Sequence, residues 1–134
     1  KGYGSWSREY SPEYWPQEVG LAPLIKMEKE FLNKGAYEAL SKETAREQLS
    51  MVEVLDVNGA DASGGEPIFL PDGTPVGRVS SGAYGYTVEK ALALGFLTGV
   101  DAGAEVDVMI LGRPQRGVVL AEPPFDPEGK RLRA

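Results

Sequence analysis

The fold class this sequence predicts is mainly β: an antiparallel barrel of about six short strands, preceded by a short partial α+β segment. Three observations carry that expectation. Between residues 48 and 122 apolar side chains recur at alternate positions in short runs, as in strands with one buried face. Turn-forming residues interrupt those runs at regular spacing, the mark of a small barrel or sandwich. The 134 residues include 17 Gly and 10 Pro beside an ordinary 42% of apolar residues, which favours strands and turns over a helical bundle.

Taken in order, the elements begin with an aromatic-rich leader. Lys1 to Gly20 holds Tyr3, Trp6, Tyr10, Tyr14 and Trp15 together with Pro12 and Pro16, and the prolines argue against a long helix. Aromatics on irregular chain need a surface to dock on, either a neighbouring sheet or something outside this chain. Leu21 to Met27 reads as a short strand, with Pro23 placing it at an edge. Good helix formers follow Asn33 and predict helix over 34–40 and a further helical turn over 42–46. SMVEVLDV alternates and is β-branched, a strand. Asn58 to Gly65 is a polar loop. EPIFL and PVGRVSS, joined by Pro71-Asp72-Gly73-Thr74, form a hairpin, since Gly73 supplies the positive φ of a tight reversal. GAYG at 82–85 reads as a second turn or bulge. TVEKALALGFL is a longer strand, whose Ala91, Ala93 and Gly95 form a small-residue face suited to close backbone approach. AEVDVMIL and RGVVLAE complete the set, separated by a turn at Gly112-Arg113-Pro114-Gln115.

Composition narrows the chemistry. The chain has no cysteine and no histidine, which removes disulfides, thiol nucleophiles, Cys/His zinc sites and His-based proton transfer. Net charge is −6. Residues 51–134 carry 7 cations against 12 anions, residues 1–50 carry 7 against 8. Such a surface argues against phosphate-backbone binding, and no apolar run is long enough to span a bilayer. No nucleic-acid or membrane partner is expected. The barrel carboxylates, Glu53, Asp72, Glu105 and Asp107, sit at alternate strand positions or in turns, as solvated charge does. The Gly-rich stretches are not followed by helices and match no phosphate loop. No catalytic residue and no metal ligand is assigned. Arg131 and Arg133 read either as solvated terminal charge or as a clamp for a ligand carboxylate. From the residues alone, the reading is an acidic β-barrel domain with an aromatic-rich leader.

PDGTPVGRVSSGAYGYTVEKALALGFL resembles the C-terminal barrel of the glycine-cleavage aminomethyltransferase (T-protein) family, through Gly73, Val76-Gly77, Val79, Ser81-Gly82, Lys90 and Leu92-Ala93-Leu94-Gly95. Ser80 stands where that family usually has Thr, Glu89 where Gly is common, and Phe96-Leu97 where Tyr-Val is usual. Trp15-Pro16-Gln17-Glu18-Val19-Gly20-Leu21 is similar to the family's Thr-Pro-x-Glu-x-Gly-Leu segment, and Phe31, Gly35, Ala39 and Leu40 to its Phe-x-Gly-x-x-Ala-Leu. The Lys-Gly-Tyr-x-x-Trp start and the Pro-Phe-Asp-Pro…Arg-Leu-Arg ending resemble the dimethylglycine/sarcosine dehydrogenase branch, where this unit follows a flavoprotein.

What the resemblance implies is a tetrahydrofolate-dependent one-carbon transfer enzyme. A methyl carbon from an amine would pass to tetrahydrofolate as 5,10-methylenetetrahydrofolate, with FAD bound elsewhere in the parent. Residues 1–46 would be the end of a folate-binding α+β domain and 47–134 the barrel. The family's folate-binding Asp, Glu and Arg have no place on this chain, so the chain alone is expected to be inactive. Trp6 would lie beside the pterin, and Arg131 or Arg133 near the folate glutamate. The partner would be the missing N-terminal portion or another chain; the aminomethyltransferase alternative would add a lipoyl carrier protein. A sulfonio-propionate demethylase and a purely structural barrel are further alternatives. The implied compartment is cytoplasmic, or the mitochondrial matrix in a eukaryote. Trp15, Leu21 and Leu24 are the expected exposed apolar group.

Overall fold

The computed structural model covers residues 1–134. Six strands form a closed antiparallel barrel: β1 (Gln48–Val54), β2 (Pro67–Phe69), β3 (Pro75–Gly85), β4 (Lys90–Leu97), β5 (Glu105–Ile110) and β6 (Arg113–Leu120). Around the barrel their order is β1-β4-β3-β2-β5-β6. Closure by β6 on β1, with Val52 opposite Val119, leaves no open edge for another chain to extend.

Three hairpins account for half the pairing. Between β2 and β3, Gly73 adopts φ 86°, and the Asp72 carboxylate accepts the Thr74 amide at 2.9 Å. Between β5 and β6 the two turn residues Leu111 and Gly112 have φ 49° and 74°. Positive φ at both positions matches the twist of the flanking strands. The turn is thus one residue earlier than its sequence suggests, and Arg113, Pro114 and Gln115 belong to β6. The segment Gly82–Gly85 is not a turn either. It continues β3, paired with Lys90–Ala93, while the irregularity falls between Val79 and Ser81. Gly82 is needed there because a Cβ would lie 2.5 Å from the Ala62 carbonyl oxygen.

Alternate residues fill the interior. Val52, Val54, Ile68, Val79, Ala93, Leu97, Val106, Val108 and Val119 belong to one buried cluster, and burying each larger one is worth about 1.5–3 kcal/mol. The loop between β1 and β2 contributes Ala62 to it. The small face of β4 has the predicted purpose: a Cβ at Gly95 would stand 2.7 Å from the Arg78 carbonyl oxygen. Its counterpart on β3 is tighter, with a Cβ at Gly77 only 2.0 Å from the Phe96 carbonyl oxygen.

The leader is irregular, as its prolines require. Leu21–Met27 is not a strand: Ala22–Leu24 form a 3-10 turn with Pro23 inside it. The closed barrel offers no edge to which a seventh strand could bond. The helix α1 (Lys34–Leu40) falls where the sequence places it. Residues 42–46 hold only isolated turn bonds, from the Lys42 and Glu43 amides to Ala39 and Leu40. Neither the 3-10 turn nor α1 has a buried residue.

Candidate functional site at the leader–barrel junction

Two buried carboxylates fasten the leader to the barrel. Glu18 has no exposed surface. One of its oxygens accepts the Trp15 amide at 2.8 Å and Arg46 Nη2 at 2.7 Å. The other accepts the Arg46 amide at 3.0 Å and Arg46 Nε at 2.9 Å. The paired bonds from a guanidinium are the strongest that a carboxylate finds in proteins. They outweigh burial and hold the Glu18 carboxyl at about 2. The Arg46 guanidinium also lies over the Trp15 ring, 4.5 Å from its centre. The Glu18 carbonyl oxygen accepts the Leu49 amide at 2.7 Å, so the clamp continues into β1.

Glu9 is the second, also without exposed surface. It accepts the Ser5 amide at 2.7 Å and the Ser81 hydroxyl at 2.8 Å. Burial alone would raise its carboxyl. Hydrogen bonds from the Ser5 amide and the Ser81 hydroxyl reverse that and hold it below the ordinary range. Beside it, Arg8 Nη1 donates to the carbonyl oxygens of Ser63 and Ser80 at 3.0 and 3.1 Å. The β-bulge explains the Ser80 contact, because an inserted residue has no partner strand to occupy its carbonyl.

The two ends of the chain meet. Lys1 pairs with Asp126, and that contact lowers the Asp126 carboxyl despite burial. The Gly2 backbone lies against Pro123, where a Cβ would fall 2.4 Å from the ring. Leader, tail and the outer face of the barrel thereby enclose a cleft of about 820 Å³. Leu49, Met51, Leu94 and Leu120 of the barrel line it, with Val19 and Leu21 opposite. Tyr3, Tyr10, Lys1 and Arg133 line it as well. Asp101, Glu122 and Glu128 also line it and Lys1 is already paired with Asp126, so Arg133 is the cation left to meet an anionic group on a molecule with an apolar body.

The candidate residues divide accordingly. Arg133 lines the cleft and donates to the Glu128 carbonyl oxygen at 2.7 Å. Arg131 does not line it; its guanidinium lies 5.0 Å from the Phe125 ring centre. Trp6 is 83% exposed on the turn that Glu9 holds and is not a lining residue. The structure thus brings Arg133 to the cleft and leaves Trp6 and Arg131 outside its wall. Of the leader aromatics, Tyr14 stacks on Phe96 at 4.0 Å and Trp15 carries Arg46. Glu9 and Arg46 escaped the sequence reading, and Glu18 entered it only as the Glu of the Trp15–Leu21 motif, with no anchoring role assigned. No group of three or more carboxylates is placed to hold a metal ion.

Of the expected exposed apolar group, Leu24 is exposed while Trp15 and Leu21 are half-buried. The larger exposure lies further along, at Leu32 (90%) beside Phe31. These residues line an open apolar groove with Leu24, Tyr37 and Leu40. No helix is long and apolar enough to cross a membrane.

A closed antiparallel barrel with a leader strapped to its outer face defines a small β-barrel domain. The family is then plain. Residues 48–126, more than half the chain, match the glycine cleavage T-protein C-terminal barrel domain, and the chain belongs to that family. Dimethylglycine dehydrogenase, mitochondrial, from Mus musculus is 28% identical over 99% of this chain, which spans 16% of that protein. The aminomethyltransferase of Aquifex aeolicus is 32% identical over 91% of this chain, covering 34% of its own length. The crystal structure of the glycine cleavage system aminomethyltransferase T from Bartonella henselae shares the fold. Its TM-score is 0.74 at 20% identity, over 87% of this chain and 33% of that one.

Proposed function

We propose that this chain is the C-terminal part of a tetrahydrofolate-dependent one-carbon transfer enzyme of the dimethylglycine/sarcosine dehydrogenase kind. In this reading the amine's methyl group is first oxidised to an iminium, its two electrons passing to the FAD of the flavoprotein portion. Bound tetrahydrofolate would supply the two nitrogens that take up that carbon as 5,10-methylenetetrahydrofolate, releasing the demethylated amine. The observation that carries this reading is the cleft, built jointly by leader, barrel and tail, all of which share the likeness to mouse dimethylglycine dehydrogenase. An anionic end beside Arg133, with an aromatic body along Tyr3 and Tyr10, suits a folate. In this reading residues 1–46 end a folate-binding α+β domain and 47–134 form its companion barrel. Trp6, outside the cleft wall, meets the pteridine where the ligand extends beyond the cleft, and Arg133 pairs with the glutamate carboxylate. Arg131, turned to Phe125, braces the tail.

FAD belongs to the flavoprotein portion of the parent. In the same reading the groove of Leu24, Phe31 and Leu32 meets the N-terminal portion of the parent or another chain. A glycine-cleavage aminomethyltransferase, with a lipoyl carrier protein as partner, is the second reading, favoured by the 32% identity to the Aquifex protein. A dinucleotide-binding Gly-x-Gly-x-x-Gly after a strand in the parent decides for the flavoprotein.

The test is calorimetric titration of tetrahydrofolate into the parent protein and into this chain alone. Micromolar binding to the parent that weakens on Trp6→Ala and Arg133→Ala supports the reading. A parent that binds no folate ends it, and variants that alter thermal stability alone favour a structural barrel.

A further inference from the structure

We infer that Glu9 is a positioning residue: its buried carboxylate, bridging the Ser5 amide and the Ser81 hydroxyl, fixes the turn that carries Trp6 on the β3 bulge. This rests on the reading that Trp6 faces the folate. The turn spans Ser5 to Tyr10, with the Glu9 and Tyr10 amides both donating to the Ser5 carbonyl oxygen at 3.1 Å. Nothing holds the Trp6 ring itself. It is 83% exposed and has no part in the aromatic stacks or the cation–ring contacts. Its place is set by its backbone, and the backbone is held on both sides of the ring by one carboxylate.

The receiving surface fits that task. Ser81 pairs with Leu94 across β3 and β4, on the outer face, which directs its hydroxyl at Glu9. One residue earlier, the Ser80 carbonyl, released from the ladder by the bulge, accepts Arg8. Arg8 and Glu9 therefore grip two successive residues of β3. Gly4 lets the turn close, since a Cβ there would fall 2.5 Å from the Glu9 Cβ. Glu9 is not among the residues lining the cleft, and its hydrogen bonds keep it ionised. Proton transfer is therefore not its work.

The experiment uses the parent protein in a Trp15→Phe background, which keeps a ring beneath Arg46; emission from Trp6 is read against a Trp6→Ala control. Glu9→Ala is expected to at least double the acrylamide quenching constant of Trp6 and lower its anisotropy. Ser81→Ala, which removes one donor and leaves the Ser5 bond, gives a smaller change in the same direction, and Glu9→Gln restores part of the loss. Tetrahydrofolate Kd is expected to rise about tenfold in Glu9→Ala, the scale of one charge-assisted hydrogen bond. In a Trp6→Ala background the same substitution should change Kd less than twofold, because coupled residues do not add. Unchanged Trp6 quenching in folded Glu9→Ala and Ser81→Ala overturns the inference, as does a full tenfold effect without Trp6. If Trp6→Ala leaves Kd unchanged, the folate reading of Trp6 fails, while the quenching result still decides whether Glu9 holds the turn.

Discussion

The leader and the barrel are built on opposite principles. The barrel has an interior of alternating Val, Ile, Leu and Ala, and its strands approach so closely that a Cβ at Gly77, Gly95 or Gly117 would press on the backbone of the neighbouring strand. The leader has no such interior. Its fully buried anchors are Glu9 and Glu18, joined by Val19 alone among apolar residues. A small irregular segment cannot exclude enough water to hold itself down by apolar burial. It is held by directional bonds to charged groups, each worth more than a neutral one. The barrel should therefore fail when volume is added, and the leader when charge is removed.

The largest expected effect is on the barrel. Gly77→Ala places a methyl carbon where the Phe96 carbonyl oxygen stands, so β3 and β4 must separate. We expect a loss of about 3 kcal/mol, seen as a lowered denaturant midpoint by circular dichroism. A wild-type midpoint would show that the two strands are not in such close contact.

Next comes the leader clamp. Arg46 is half-exposed, whereas its partner Glu18 is not exposed at all. Arg46→Met strands a buried carboxylate and should weaken leader docking by about 3 kcal/mol. Glu18→Gln leaves the cation free to hydrate and should cost about half as much. Limited proteolysis is expected to cut within residues 1–46 of either variant while the barrel resists. Equal losses in both would mean that Glu18 is less buried than its geometry implies.

Acid gives the same separation without mutation. The folded Glu18 carboxyl titrates about 2, against an ordinary 4.5, so the unfolded leader binds the proton first. Its contribution is complete above pH 4.5 and is lost as pH falls towards 2. Glu9 and Asp126, also lowered, act in the same direction. Glu66 and Asp72 are lowered too, but each bonds within three residues of itself, so protonation loosens a turn without detaching a segment. Trp15 fluorescence is expected to change between pH 4.5 and 2 before the far-ultraviolet strand signal. Coincident transitions would mean that leader and barrel are one cooperative unit.

The smallest effect belongs to Arg116, which pairs with Asp56 on open surface. Arg116→Ala should shift stability by no more than about 0.5 kcal/mol, as exposed pairs do. A larger loss in chemical denaturation would show that surface charge matters to the barrel after all.

How much was legible follows from the range of each interaction. The strands and the Asp72-Gly73 reversal were legible because alternation and turn chemistry reside in a few consecutive residues. The error at Gly82–Gly85 arose because glycine serves close approach as well as turns, and only the neighbouring chain distinguishes the two uses. At Gly112–Gln115 the glycine does serve the turn, but its partner in positive φ is Leu111, a residue type that gives no turn signal. The strand expected at Leu21–Met27 failed because its apolar residues had no edge to join. Of the site, Arg133 was legible by residue type. The cleft around it was not, since its walls come from both ends of the chain and the middle.

By itself the sequence determined the mainly β class, the position of α1, the number of strands and the small-residue face of β4. All are set by the conformational preferences and spacing of nearby residues. Only the tertiary structure decided the order β1-β4-β3-β2-β5-β6, the closure and the attachment of the leader. Arg46 reaches Glu18 across 28 positions, Ser81 reaches Glu9 across 72, and Lys1 reaches Asp126 across 125. Periodicity carries no record of such pairs, because a buried carboxylate and a solvated one are the same letter until the fold supplies the partner that keeps it charged.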